Sequence, residues 1–290
     1  MERKLLHRSG LECSRIIAGA WRWNTVGPAE VEKLIKTSLD EGITSFDHAD
    51  IYGDYSNEKI FGDVIKAQPS LRPRMQLITK CGIKLLSSKF PGTRIKHYDT
   101  SKTHIINSVD QSLSNLGTDH IDLLLIHRPD PLMDPGEVAE AFGLLKQNGK
   151  VLHFGVSNFT NTQFRLLQSG LPFPLITNQI ELSLSKTHAF FDGTIDQLMK
   201  DGVCPMAWSP LGGGRLMDPQ SNLWAKKEKY NATEAQLSLA WLLKHPAKIF
   251  PVVGTTQPAR IIESAQAMKV VLERQDWFDM LREATGYDVP

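Results

Sequence analysis

The run Ile121-Asp122-Leu123-Leu124-Leu125-Ile126 carries apolar side chains on both faces of an extended chain. Such a strand is typical of a parallel sheet that is covered by helices on both sides. Further short aliphatic or β-branched runs occur along the chain, and amphipathic helical patterns separate them. The eight predicted strands begin near Ile16, Thr44, Met75, Ile121, Val151, Leu175, Val203 and Ile249. This alternation predicts an α/β protein with a parallel sheet.

Helix start signals support the alternation. The segments Thr160-Asn161-Thr162-Gln163 and Thr233-Glu234-Ala235-Gln236 both fit the capping box, in which the first and fourth residues satisfy each other's backbone N–H groups. Asp134 followed by Pro135 is typical of an N-cap and a first helical residue. Three of the predicted helices therefore have defined beginnings.

Eight strands are also the number that closes into a (β/α)8 TIM barrel. An open doubly wound sheet is the alternative, but no predicted strand is followed by the G-x-G-x-x-G segment that binds dinucleotides there. We therefore expect residues 1–290 to form a single barrel domain, with a hairpin in residues 1–14 closing the barrel bottom. The long loops 81–102 and 209–224 are then expected on the C-terminal face, where barrel sites are built.

The composition narrows the classes of partner. Lys and Arg total 33 against 32 Asp and Glu, and a net charge near +1 favours neither nucleic acid nor an anionic membrane as the main partner. No apolar stretch is long enough for a signal peptide core or a membrane span. The three cysteines form no C-x-x-C pair, so we expect reduced thiols, no metal site and a cytoplasmic protein.

Four polar residues fall at the ends of predicted neighbouring strands. Asp47 ends the strand that begins near Thr44, Lys80 ends the strand from Met75, and His127 ends the strand from Ile121, while Tyr52 lies in the loop after Asp47. Neighbouring strands lie about 4.8 Å apart, so we expect the four side chains to meet.

These four residue types suit proton transfer to a carbonyl oxygen. A phenol such as Tyr52 has an ordinary pKa near 10, and a nearby ammonium lowers that pKa whereas burial raises it. We expect Lys80 to supply the ammonium and Asp47 to keep Lys80 charged. His127 then orients a carbonyl oxygen toward the phenol.

Two other chemistries use the same residues. Lys80 at a barrel strand end is also suited to Schiff-base formation in a lyase, although that role requires an amine without the neighbouring Asp47. His48, Asp50 and His127 are potential metal ligands, but they are few and no further His or carboxylate ends a neighbouring strand.

With these residues identified, the chain resembles the aldo-keto reductases. The segment Phe46-Asp47-His48-Ala49-Asp50-Ile51-Tyr52-Gly53 is similar to their Asp-to-Tyr signature, and Leu125-Ile126-His127-Arg128-Pro129-Asp130 is similar to their histidine strand. Lys80 follows at the family's distance. The resemblance covers nearly the whole chain and indicates a bacterial general oxidoreductase subgroup.

The resemblance implies an NADPH-dependent reduction of an aldehyde or ketone. Tyr52 is then the general acid, Asp47 and Lys80 tune it, and His127 orients the substrate. The resemblance also implies a cofactor site at Ala20, Trp21, Ser157, Asn158, Gln179, Trp208, Ser209, Leu211, Gly212, Gly214, Arg215, Thr255, Thr256, Arg260, Glu263 and Ser264.

Parts of this implied cofactor site have distinct roles in the family. Ser157, Asn158 and Gln179 hold the carboxamide, Trp208 stacks on the nicotinamide in place of the usual tyrosine, and the segment from Leu211 to Arg215 wraps the pyrophosphate.

The resemblance further implies that Thr255 and Arg260 bind the adenosine 2′-phosphate, which favours NADPH over NADH. Two residues depart from the family pattern: Gly254 replaces a common lysine, and Ser264 replaces an asparagine that contacts adenine. Trp21 is either a wall of the substrate pocket or a core tryptophan.

Some members of the family serve instead as redox-sensing regulatory subunits, as in potassium-channel β subunits. All four tetrad residues are present here, which favours the enzyme. We expect a small carbonyl substrate and a monomer or weak homo-oligomer. The region Leu216–Leu223 is short for a loop that locks the cofactor in place, which predicts ready cofactor exchange.

Overall fold

The computed structural model describes residues 1–215 and 221–288. Within these residues, eight parallel strands close into one barrel, with strand order following chain order. We number them β1 to β8: Ile17–Gly19, Ser45–Asp47, Gln76–Cys81, Ile121–Ile126, Val151–Ser157, Leu175–Glu181, Met206–Trp208 and Phe250–Val253. The pairing of Val252 with Ile17 closes the ring, so the predicted (β/α)8 barrel is confirmed.

One predicted strand start is wrong by three residues. Val203 does not open β7 but forms an isolated antiparallel bridge with His7, and β7 begins at Met206. The next residue, Cys204, donates its backbone N–H to the carbonyl of Leu6. Pro205 then has no N–H to donate to a ladder, which delays the start of the barrel strand.

A helix follows each barrel strand. In chain order the helices α1 to α8 are Pro28–Asp40, Asn57–Ala67, Lys102–Leu116, Pro135–Gln147, Asn161–Ser169, Thr194–Asp201, Glu234–Leu243 and Pro258–Gln266, and α9 is Arg274–Thr285. Short helices cover Tyr52–Tyr55 and Lys227–Tyr230, and short 3-10 turns cover Trp23–Thr25, Pro69–Arg74, His188–Phe190, Gly212–Gly214, Asn222–Trp224 and Ala267–Lys269.

The predicted helix starts are confirmed. Thr160 and Thr233 form reciprocal capping boxes with Gln163 and Gln236, and the Asp134 carboxylate accepts hydrogen bonds from the first turn of α4. Each cap satisfies N–H groups that have no partner within the helix.

A two-stranded antiparallel hairpin precedes the barrel. Arg3–Leu5 pairs with Glu12–Ser14, and the buried side chains of Leu6 and Cys13 pack among interior barrel residues. The backbone N–H of Ser14 donates to the Ser45 hydroxyl at the start of β2. The hairpin therefore lies against the amino ends of the strands, opposite the face on which polar residues end the strands.

The loop 81–102 carries a structure that the sequence did not predict. Ile83–Lys84 pairs with His97–Tyr98 as a second antiparallel hairpin. The other long loop, 209–224, is only partly described, because residues 216–220 lie outside the described ranges. The prediction of ready cofactor exchange from Leu216–Leu223 therefore concerns residues largely outside the described part.

The three cysteines, Cys13, Cys81 and Cys204, are free and buried, in agreement with the predicted thiols. No helix in the described part of the chain is long and apolar enough to cross a membrane.

Candidate active site

The four predicted tetrad residues meet at the carboxyl ends of β2, β3 and β4. Asp47 is the last residue of β2, Lys80 is the penultimate residue of β3, and His127 directly follows β4. Tyr52 lies in the connection between β2 and α2, as predicted, and it begins the short helix Tyr52–Tyr55. Gly53 has a φ of 59° within this helix, and a Cβ added there would collide with the side chain of Asn57 or Asn24.

Lys80 is the centre of the hydrogen-bond network. Its fully buried ammonium donates to Asp47 Oδ2 at 2.6 Å, to the His48 carbonyl at 2.8 Å and to the Tyr52 hydroxyl at 3.2 Å. All three ammonium protons are thus engaged. A lysine held in this way is not the desolvated free amine that Schiff-base formation requires, which disfavours the lyase.

The pKa values of Lys80 and Tyr52 are both raised, but for different reasons. Burial alone lowers the pKa of Lys80, but Asp47 and Tyr52 outweigh it and the net shift is upward, so Lys80 stays charged. Burial raises the pKa of Tyr52 above its ordinary value, although Lys80 and Arg128 oppose the rise. Both effects expected from the sequence are present, and desolvation is the larger one.

His127 faces Tyr52 as a neutral ring. The two ring centroids lie 5.8 Å apart in an edge-to-face arrangement. Burial lowers the pKa of His127 well below its ordinary value, and Lys80 and Arg128 lower it further. The Nδ1 atom is buried and has no hydrogen-bond partner within the described residues. A neutral imidazole orients an oxygen through its N–H without carrying charge.

Three of the predicted carboxamide residues form one chain of hydrogen bonds. Asn158 Nδ2 donates to Ser157 Oγ at 2.7 Å, and the Ser157 hydroxyl donates to the Gln179 carbonyl at 2.9 Å. The Gln179 side chain is buried and donates to Asp47 Oδ1 at 2.8 Å. This last bond ties the predicted carboxamide residues directly to the tetrad.

Trp208 joins the same network and is only partly buried. Its indole N–H donates to Asn158 Oδ1 at 2.9 Å. Arg128 was not predicted as a site residue, yet its guanidinium carbon lies 5.3 Å from the centre of the Trp208 ring. Its position directly after His127 is the sequence signal by which it could have been found.

The predicted pyrophosphate segment is a tight turn in which most residues adopt left-handed backbone angles. Ser209, Gly212, Gly213 and Gly214 all have positive φ, between 53° and 84°. No heavy atom approaches within 4 Å of a Cβ built on Gly214, and Arg215 is exposed. The partly buried Leu211 packs against the core. The backbone N–H groups of Gly212 and Gly214 donate to the carbonyls of Ser209 and Leu211, so both are engaged within the turn itself.

The predicted adenosine residues surround the start of α8, and they are not equally available. Arg260 is exposed, and Thr255 and Thr256 are half-buried at the preceding turn. Glu263 accepts a hydrogen bond from Thr233 at 2.6 Å. Ser264 is buried, and its hydroxyl donates to the Arg260 carbonyl at 2.7 Å, so this side chain bonds to its own helix.

Ala20 and Trp21 lie beside the tetrad side of the barrel. Asn57 Nδ2 donates to both carbonyls, at 2.8 Å and 3.0 Å, which holds the turn in place. Trp21 is 59% exposed, so the alternative of a core tryptophan is wrong. The buried tryptophan of this turn is Trp23, whose indole N–H donates to the Thr255 carbonyl.

The metal alternative has no support in the described part of the chain, where no three His, Cys, Asp or Glu side chains form a group that could hold an ion. The ring of His48 lies 4.4 Å from that of Phe61 and has no hydrogen-bond partner there.

Comparisons with known proteins identify the family of this chain. Residues 15–283 match the model of the Aldo/keto reductase family. The chain is 46% identical to "Oxidoreductase YdhF" of Escherichia coli (strain K12), covering all of both chains. It is 45% identical to "6-dehydroglucose reductase" of Agrobacterium fabrum, covering 96% of this chain and 97% of the relative.

Solved structures show the same fold. An aldo/keto reductase from Klebsiella pneumoniae, in complex with NADP and acetate, superposes with a TM-score of 0.82 at 22% identity, over all of this chain and 97% of the other. From the family match and the relatives, this chain belongs to the aldo/keto reductase family of oxidoreductases.

Proposed function

We propose that this protein reduces an aldehyde or ketone to the alcohol with NADPH. The observation that carries the proposal is the buried contact of Tyr52 with the Lys80–Asp47 ion pair, at 3.2 Å and 2.6 Å, beside a neutral His127. This arrangement offers a proton to an oxygen at the carboxyl end of the barrel, where barrel enzymes carry their sites.

The residues of the chain divide the proton chemistry among them. Tyr52 is a phenol with an ordinary pKa near 10, so it is protonated at neutral pH and donates its proton to the carbonyl oxygen. Lys80 stabilises the phenolate that remains, and Asp47 keeps Lys80 charged and in place. His127 directs the carbonyl oxygen toward the phenol. When bound, the reduced nicotinamide supplies the hydride that completes the alcohol.

The described residues fit a dinucleotide. The exposed backbone at Gly214, in the positive-φ turn that follows Ser209, leaves room for a pyrophosphate. The N-cap residue of α8, Gln257, makes no side-chain cap, which leaves the helix start available to a phosphate. Ser157, Asn158 and Gln179 would hold the carboxamide, and Trp208 would lie against the nicotinamide.

The preference for NADPH rests on Arg260. Its exposed guanidinium has no ion-pair partner among the described residues and stands in the first turn of α8. A planar guanidinium binds phosphate through two hydrogen bonds. The buried Ser264 is left out of this proposal, because its hydroxyl is bonded to its own helix.

The decisive variant is Tyr52→Phe, which removes one hydroxyl. We expect the variant to bind NADPH with unchanged affinity, measured by quenching of tryptophan fluorescence, and to lose at least about a hundredfold in kcat on a panel of small aldehydes. The panel includes 6-dehydroglucose, the substrate named for two relatives.

The matched control is Tyr55→Phe. The Tyr55 hydroxyl accepts a hydrogen bond from the Leu85 backbone at 2.9 Å and does not touch Lys80, so this variant should keep most of its turnover. Wild-type turnover by Tyr52→Phe would refute the proton transfer. Tight nucleotide binding without turnover of any carbonyl by the wild type would point instead to a redox-sensing protein.

The cofactor preference is tested by Arg260→Ala. Loss of one charged hydrogen-bonding group should raise the Kd for NADPH about tenfold to a hundredfold and leave the Kd for NADH unchanged. Arg165→Ala removes an exposed arginine from α5 and should change neither value. Equal weakening of both nucleotides by Arg260→Ala would contradict recognition of the 2′-phosphate.

A further inference from the structure

Arg128 places a guanidinium at the edge of the tetrad. It directly follows His127, and its Nη1 lies 3.3 Å from the His127 carbonyl and 3.5 Å from Ser157 Oγ. Its guanidinium carbon stands 5.3 Å from the centre of the half-buried Trp208 ring. These contacts position the group between the histidine and the residues proposed to hold the carboxamide.

This guanidinium has no carboxylate partner. Within residues 1–215 and 221–288, no acidic oxygen lies within 4.0 Å of it, and its Nε and Nη2 atoms donate no hydrogen bond. Glu181 acts on its pKa only from further away. The side chain is half-buried, so it loses hydration without gaining an ion pair. A cation in this state gains from an anion that arrives with a ligand.

The other two basic groups beside Tyr52, Lys80 and His127, do not carry a positive charge without a counter-ion. The ammonium of Lys80 is neutralised by Asp47 at 2.6 Å. His127 is neutral because of its burial. Arg128 also acts electrostatically on Tyr52, and its positive charge has no counter-ion within the described residues.

We propose that Arg128 is the specificity residue of this reductase and binds a carboxylate carried by the carbonyl substrate, so that the preferred substrates are oxo acids. The inference rests on the proposed reductase function. The planar fork of Nε and Nη2 matches the two oxygens of a carboxylate. Because Arg128 adjoins His127, a carboxylate bound there keeps the carbonyl of a short oxo acid within reach of Tyr52.

The test compares two aldehydes that differ in one charge: succinic semialdehyde and its neutral methyl ester, methyl 4-oxobutanoate. For the wild type we expect kcat/KM to favour the acid by about tenfold or more. In Arg128→Met the ratio should fall to about one, through a higher KM for the acid. Arg128→Lys should keep part of the preference, because it retains the charge and loses the fork.

The matched control is Arg165→Met, which removes an equal charge from the exposed face of α5 and should leave the ratio unchanged. Three results would overturn the assignment. These are a wild type without preference for the acid, an Arg128→Met variant that loses both aldehydes by the same factor, and an Arg128→Met variant whose main change is in NADPH affinity.

A binding experiment separates this inference from the proposed function. In the Tyr52→Phe background loaded with NADPH, the Kd of succinic semialdehyde is measured by calorimetry with and without Arg128→Met. A tenfold or larger rise in Kd on loss of Arg128 supports the carboxylate site even if the wild type reduces neither aldehyde. An unchanged Kd refutes the carboxylate site even if the reductase proposal holds.

Discussion

Lys80 and His127 are neighbouring buried bases that differ in charge: Lys80 is protonated, whereas His127 is neutral. Burial penalises the cation in both cases. Lys80 nevertheless stays charged because the Asp47 carboxylate lies 2.6 Å away. His127 has no carboxylate partner among the described residues, and the charges of Lys80, Arg128 and Lys96 lower its pKa further. At the scale of single residues, one carboxylate therefore decides which base is charged and which is a neutral hydrogen-bonding group.

The imidazole ring of His48 is also buried and neutral, although only its backbone carbonyl contacts Lys80, and this ring makes stability depend on pH. Burial, followed by the charge of Lys80, lowers its pKa from 6.5 to about 3. The unfolded chain therefore takes up a proton near pH 6.5 that the folded chain refuses, and stability falls as the pH drops below that value. Between about pH 7.5 and about pH 5.5 this residue should cost about 1.4 kcal/mol.

The variant that tests this is His48→Phe, which keeps a ring against Phe61 and removes the titrating group. Urea unfolding at the two pH values should show a smaller loss of stability in the variant than in the wild type. His188→Phe, in which an exposed histidine is replaced, should behave as the wild type. An identical pH dependence in His48→Phe and the wild type would show that His48 takes up a proton as readily in the folded protein as in the unfolded chain.

At the scale of elements, helix α5 follows directly after the site residues at the end of β5. It begins at Asn161, shortly after Ser157 and Asn158, and the capping box between its N-cap Thr160 and Gln163 holds its first turn. The cap satisfies backbone N–H groups that the helix itself leaves unpaired. The position of the helix start therefore supports the backbone of the two residues proposed to hold the carboxamide.

Removal of this cap should be measurable. Thr160→Ala should lower the free energy of unfolding by about 1 kcal/mol, because the hydroxyl that accepts from the Gln163 N–H is lost. Thr162→Ala changes the same residue type two positions later, at an exposed side chain, and should cost much less. Equal costs in chemical denaturation would mean that the cap contributes nothing beyond helix propensity.

At the scale of the whole molecule, the two ends of the barrel have separate tasks. The N-terminal hairpin fills the amino end with Leu6 and Cys13, which pack against Ile17 and Leu123 of the interior. The tetrad lies at the carboxyl end. Substitutions in the hairpin should therefore affect stability and leave the chemistry intact.

Two adjacent leucines test this separation. Leu6 is fully buried, and Leu6→Ala should lower the free energy of unfolding by about 2–5 kcal/mol because it leaves a cavity in the barrel interior. Leu5 is 45% exposed, and Leu5→Ala should cost well under half of that. Both variants should keep the wild-type kcat at temperatures where they are folded. A fall in kcat in folded Leu6→Ala protein would show that the two ends are coupled.

The sequence by itself determined the alternation of strands and helices, the barrel and the meeting of the tetrad. These follow from local rules, because apolar runs and caps define elements, and consecutive parallel strands bring residues at their ends together. Asp47, Lys80 and His127 were predictable as neighbours because each lies at the carboxyl end of its strand, and the three strands are adjacent in the barrel.

Only the tertiary structure decided the charge balance and the partners within the site. The net rise of the Tyr52 pKa depends on how deeply the phenol is buried, which no local pattern encodes. Gln179 reaches Asp47 from 132 positions away, and Ser264 turns its hydroxyl to its own helix. Desolvation and hydrogen bonds depend on distances across the barrel, and these distances exist only once the strands have closed.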